Sequence, residues 1–162
     1  MPSILFVCTA NRFRSPIAAL YFAREVVRRG DDQDIHVSSA GTWASPEQSA
    51  MPKAVQLVQE YGLDLSYHKS RIVSEALLTQ SDLILVMEMG HKEAICHEFL
   101  ETADRVYLLT EVGEDQPVNI PDPYGEAQAN PEEVVKEIIN LIDEGYEKIV
   151  SLAWEKAGKP KS

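Results

Sequence analysis

The sequence predicts a three-layer α/β fold: a central four-stranded parallel sheet with helices on both faces. Four short runs of strand character, at residues 4–7, 35–38, 83–86 and 106–109, carry β-branched or aromatic members and suit buried strands. Between them apolar residues recur at helical spacing, punctuated by Gly and Pro. Such alternation implies parallel strands joined by right-handed crossovers.

Strand one covers roughly 3–8. Ser15 is a favourable N-cap and Pro16 suits a first helical residue, so a helix over 15–29 follows. Its apolar face holds Ile17, Leu20, Tyr21, Val26 and Val27, and Gly30 stops it. Strand two, 35–38, comes after the turn-rich Gly30-Asp31-Asp32. A helical pattern over 50–61 ends at Gly62, and a shorter helix occupies 74–80. Strand three is 83–86, a helix covers 90–101, and strand four is 106–109. A long connection with Pro117, Pro121, Pro123 and Gly125 leads to a helix from Pro131 to about Ala153. Residues 1–155 are expected to form one domain and 156–162 a flexible tail.

The 162 residues, 44% hydrophobic and 25% charged, suit an ordinary globular core. No apolar stretch is long enough to span a membrane and no signal peptide is evident, and with only two cysteines a protein of the reducing cytoplasm, without a membrane partner, is expected. Cys8 and Cys96 build neither a disulfide framework nor a metal cluster, although one bond between them stays compatible with the sequence. Net charge is −11, but residues 1–30 hold five arginines against one glutamate, or +4, leaving −15 for the rest. Three of those arginines, Arg24, Arg28 and Arg29, sit where cations offset a helix dipole. The general acidity argues against nucleic acid as a partner.

The chemistry concentrates in CTANRFRSP, residues 8–16. Cys8 ends the first strand and a helix starts just downstream. Loop amides, helix dipole and Arg14 therefore converge on a volume suited to a tetrahedral oxyanion, with the sulfur at its base. A thiol placed there is an activated nucleophile. Singly, a strand-end cysteine is usually a small buried hydrophobe and a loop arginine a solvated group. Together, at this spacing, they favour a site. The loop lacks the glycines and Lys-Ser/Thr pair of a nucleotide-binding P-loop. Ligands of parallel sheets lie beyond the strand C-termini, where Cys8 is placed.

This segment resembles the signature of the low-molecular-weight protein tyrosine phosphatases, whose arsenate reductase relatives share the loop. Asp122-Pro123-Tyr124, Ser38-Ser39-Ala40-Gly41-Thr42 and His68-Lys69-Ser70-Arg71 match further family stretches, so the resemblance covers essentially the whole chain. From residue pattern alone, Asp-Pro is a turn opener. The resemblance implies instead that Asp122 is the general acid, that Cys8 attacks phosphorus to give a phosphocysteine, and that Arg14 forks two oxygens. It implies that loop amides from Thr9 through Ala10, Asn11, Arg12, Phe13 and Arg14 bind the remaining charge, and that Ser15 stabilises the thiolate. It implies no metal and no other cofactor. Asn11, a residue that tolerates left-handed geometry, would bond Ser39 and His68. Trp43 and Tyr124 would flank the substrate cleft, with Glu88 near it. His36, His91 and His97 are expected at a strand end and on helix surfaces.

Four positions depart from the family pattern. Arg12 stands where phosphotyrosine-preferring relatives tend to carry a branched apolar residue and phosphoarginine-hydrolysing relatives threonine. Phe13 replaces a second cysteine that can trap the catalytic sulfur. Ala10 replaces a common glycine and would slightly constrain the loop. Gly125 follows Tyr124 where many relatives carry a second tyrosine.

The expectation is a metal-independent phosphatase acting on phosphotyrosine, or a related phosphorylated side chain, in a protein or a small phosphomonoester, with phosphate and other oxyanions as ligands. Two alternatives stay open. One is an arsenate reductase using an external thiol, since only Cys96 remains for a relay. The other is a non-catalytic oxyanion-binding module, against which the joint presence of Cys8, Arg14, Ser15 and Asp122 argues.

Overall fold

Apolar runs flanked by amphipathic helices must bury both faces, and the chain does so around one sheet. A computed structural model describes residues 1–31 and 34–158. Strands β1 (Ser3–Cys8), β2 (His36–Gly41), β3 (Leu83–Val86) and β4 (Val106–Leu108) are all parallel, in the order β2-β1-β3-β4. Alternation along β1 sorts its side chains into two layers. Ile4, Phe6 and Cys8 join the core packed by α1 (Arg14–Arg28), α2 (Pro52–Gln59), α5 (Leu109–Glu114) and α6 (Pro131–Lys156). Leu5 and Val7 join the smaller core beneath α3 (Glu75–Gln80) and α4 (Met89–Glu98). The expected three-layer architecture is the one observed.

The first helix departs from expectation at its start. It opens at Arg14, with Phe13 in the capping position and no side-chain cap, so Ser15 is not the N-cap. Its hydroxyl is drawn instead to Cys8 and Asn11. The end is as expected: Gly30 has φ 80°, and the N–H groups of Gly30 and Asp31 return to the carbonyls of Val27 and Val26. There the expected dipole role of the basic residues is joined by a local one, because Arg28 and Arg29 both reach the buried Glu25.

Other boundaries differ as well, and β2 continues past the expected Ser38 to Gly41. Leu109 does not end the fourth strand; it opens α5, so the first part of the long connection is helical. Similarly, α4 stops at Glu98 and gives way to a 3-10 turn over Leu100–Arg105. The last helix is capped by Asn130, whose Oδ1 accepts from the N–H groups of Glu132 and Glu133, and it runs to Lys156. Of the expected tail, residues 159–162 lie outside the described residues. No helix among the described residues is long and apolar enough to cross a membrane. The order β2-β1-β3 makes the C-terminal end of β1, and hence Cys8, the point where the chain switches sides.

Candidate active site

The loop from β1 to α1 turns on Asn11, whose φ of 57° lies in the left-handed region. The side chain is fully buried. Its Nδ2 donates to Ser15 Oγ at 2.9 Å and Ser39 Oγ at 3.0 Å, while Oδ1 accepts from the Arg71 N–H at 3.0 Å. Its carbonyl accepts from His68 Nε2 at 2.7 Å. Burial lowers the pKa of His68 against that bond, with Arg71 adding to the depression. Both contacts expected of Asn11 are present. Asn11 alone among residues 9–13 has a positive φ, so Ala10 carries none of the left-handed strain a replaced glycine would imply. Just after β2, the Thr42 and Trp43 N–H groups donate to the carbonyls of Cys8 and Thr9, both at 2.9 Å. Gly41 makes that approach possible: a Cβ there would fall 2.4 Å from the Thr9 carbonyl oxygen.

Cys8 is 2% exposed, and its Sγ lies 2.9 Å from Ser15 Oγ. Arg14 is equally buried and densely tied. Its Nη1 donates to Glu88 Oε2 at 2.8 Å and to the Ile120 carbonyl at 2.9 Å. Its Nη2 lies 3.4 Å from Thr9 Oγ1 and 3.5 Å from Asp122 Oδ2. The Asp122 Oδ1 accepts from the Tyr124 N–H at 2.9 Å, and its carbonyl from the Gly125 N–H at 3.1 Å. Asp122 is thus a turn opener that also delivers a carboxylate to the cleft.

A cleft of about 100 Å³ has Cys8 and Arg14 at its base and Asp122 at its side. Its walls are Ala10, Arg12, Phe13, Met51 and Tyr124. Phe13 meets Tyr124 edge-on, centroids 5.7 Å apart at 67°. Arg12 is half-buried; its Nε donates to the Ser49 carbonyl at 2.7 Å, and its own carbonyl accepts from the Met51 N–H at 2.8 Å. Trp43 does not line this cleft and is 84% exposed, so the aromatic partner of Tyr124 is Phe13. Glu88 is not a wall either: it stands at the start of α4 and grips Arg14. Cys96 packs against the core on the opposite sheet face from the Cys8 side chain.

Sequence reading missed His91. It is no surface residue: it is 5% exposed, with Nε2 2.8 Å from Thr9 Oγ1 and Nδ1 accepting from the Glu88 N–H at 3.1 Å. Burial, then the charge of Arg14, pushes its pKa down to about 4, against opposing pulls from Glu88 and Asp122. The available signal was the three-residue spacing of Glu88 and His91 at a helix start, which is that of a capping box.

A family model described as low molecular weight phosphotyrosine protein phosphatase matches residues 3–157. The chain is similar to a protein-arginine-phosphatase of Bacillus subtilis, 37% identical over 122 residues, which cover 75% of this chain and 79% of that one. It is similar to the low molecular weight protein-tyrosine-phosphatase Wzb of Escherichia coli, 35% identical over 122 residues, 75% and 78% of the two chains. Among solved structures it resembles a cysteine-to-serine mutant of the YwlE arginine phosphatase with a phosphorylated active-site serine. The TM-score is 0.83 at 30% identity, covering 91% of this chain and 95% of that one.

Proposed function

Because this chain belongs to the low-molecular-weight protein tyrosine phosphatase family, we propose that it hydrolyses aryl phosphates such as phosphotyrosine, with Cys8 as nucleophile and Asp122 as general acid. The observation that carries this reading is one small cleft holding the Cys8 sulfur, the Arg14 guanidinium and the Asp122 carboxylate. Sulfur attacks phosphorus as the ester P–O bond breaks, and Asp122 gives its proton to the departing oxygen. Asp122 then takes a proton from water, whose oxygen attacks phosphorus and releases the thiolate. Ser15 Oγ donates to the sulfur while it is charged.

Arg14 supplies the fork. Glu88 and Ile120 engage Nη1 and Thr9 Oγ1 takes one Nη2 hydrogen, so Nε and the second Nη2 hydrogen form the edge offered to two oxygens of the transferring group. The absence of a side-chain cap on α1 leaves its first-turn amides for the remaining charge.

The names of the relatives divide between arginine and tyrosine phosphatases, so similarity does not choose the substrate. The cleft does. Phe13, Tyr124 and Met51 offer flat and apolar walls to a ring, whereas Arg12 sets a like charge against a guanidinium-bearing substrate. The opposite-face location of Cys96 disfavours an internal thiol relay.

Hydrolysis of para-nitrophenyl phosphate in the presence of EDTA tests the mechanism. Activity should vanish in Cys8→Ser and fall by about 100-fold or more in Asp122→Ala. Hydrolysis that survives Cys8→Ser would sink the proposal. Paired phosphotyrosine and phosphoarginine peptides then test substrate class, and a higher kcat/KM for phosphoarginine would reverse it.

A further inference from the structure

The mechanism above leaves one buried imidazole unused. We propose that His91 is a positioning residue for phosphoryl transfer, holding Thr9 and Glu88 and, through them, both terminal nitrogens of Arg14; the proposal rests on the phosphatase reading.

Hydrogen-bond polarity assigns the ring. The Glu88 backbone N–H can only donate, so Nδ1, at 3.1 Å, accepts and bears no proton. The ring proton is therefore on Nε2, which donates to Thr9 Oγ1 at 2.8 Å. That same hydroxyl oxygen lies 3.4 Å from Arg14 Nη2. Glu88, whose amide the ring holds, presents Oε2 to Arg14 Nη1 at 2.8 Å. One imidazole thus links the corner between β3 and α4 to the loop after β1, and each arm ends on Arg14.

Burial and the adjacent guanidinium keep the ring neutral near neutral pH, as both arms require. The charged groups facing it are Arg14 from α1, Glu88 at the head of α4 and Asp122 from the connection after α5. A proton on Nδ1 would confront the Glu88 N–H and break that arm. It would also make the ring a competitor of Arg14 for Glu88 Oε2, which lies 3.6 Å from Nε2. Because phosphoryl transfer depends on placement more than on covalent help from the protein, a displaced guanidinium lowers turnover even in a fully folded molecule.

The test compares kcat and KM for para-nitrophenyl phosphate, the inhibition constant of inorganic phosphate, and Tm. His91→Ala removes both arms; His91→Gln restores a donor near the Nε2 position, and His91→Asn an acceptor near Nδ1. His91→Ala is expected to lower kcat by about tenfold and to weaken phosphate inhibition similarly, with each amide variant recovering part of the loss. Thr9→Val, which deletes only the shared hydroxyl, is expected to lose about fivefold alone and less than about twofold on top of His91→Ala. If His91→Ala stays within about twofold of wild type in kcat and phosphate inhibition while its Tm falls, His91 is only a packed core histidine and the proposal is overturned. Should His91→Ala fail to fold, unchanged kcat in Thr9→Val and His91→Gln overturns it equally. A wild-type protein without Cys8-dependent hydrolysis overturns the phosphatase reading, and this proposal with it. Active wild type with indifferent His91 variants removes this proposal alone.

Discussion

Asn11 performs two tasks that substitution can separate. Its backbone occupies the left-handed region, and its side chain ties Ser15, Ser39 and the Arg71 amide together. Asn11→Gly keeps the turn without strain but loses the three side-chain bonds. Asn11→Ala loses the same bonds and adds the left-handed penalty, so it should unfold in urea with a stability lower than that of the glycine variant by about 1 kcal/mol. Equal stabilities would mean that the turn relaxes out of the left-handed region. The same residue shows why part of the candidate site was legible in sequence. Cys8, Asn11, Arg14 and Ser15 lie within eight consecutive residues, where loop geometry dictates residue type. The cleft wall was less legible, since Phe13, Met51 and Tyr124 meet only through folding. His91 was illegible for a related reason: its helix contributes only two buried residues, His91 and Ile95, so periodicity did not mark its inner face.

At the scale of elements, α5 shows the limit of local pattern. Its six residues give too little periodicity to separate it from the loop that follows, and it contains Gly113. It is held by α6: a Cβ on Gly145 would lie 2.7 Å from the Gly113 Cα, so two backbones touch there without side chains between them. That contact is long-range and silent in a single sequence. The longer strands and α6 were legible because burial and a capped, proline-led start repeat the same signal along many residues. Gly145→Ala gains helix propensity but forces the helices apart against rigid backbone, so it should lower stability to urea by about 1–3 kcal/mol. Gly90, in the first turn of α4, faces open space, and Gly90→Ala should instead raise stability by about 0.5 kcal/mol. If the two alanines behave alike, contact at the Gly113–Gly145 crossing is not what fixes α5.

For the whole molecule, protonation is coupled to unfolding. His91 titrates at about 4 in the folded state, while an unfolded histidine titrates near 6.5. Between those values the unfolded chain binds more protons, so stability is fully present above about pH 6.5 and is lost as pH falls toward 4. The separation corresponds to a contribution on the order of 3 kcal/mol, with His68, also depressed by burial, acting in the same direction. Glu25 is held below the ordinary carboxylate value chiefly by its bond to Arg28, so its contribution disappears only at the acidic end. The net charge of −11 works oppositely, because acidification relieves self-repulsion across the molecule. Those other terms are common to wild type and His91→Gln and cancel in their difference. Urea unfolding of both at pH 7 and at pH 4.5 should therefore show a stability loss that is smaller in His91→Gln by about 2–3 kcal/mol. Parallel losses in the two proteins would mean that the imidazole accepts a proton in the folded state as readily as in the unfolded chain, and that its burial between Thr9 and Glu88 imposes no penalty on the charged form.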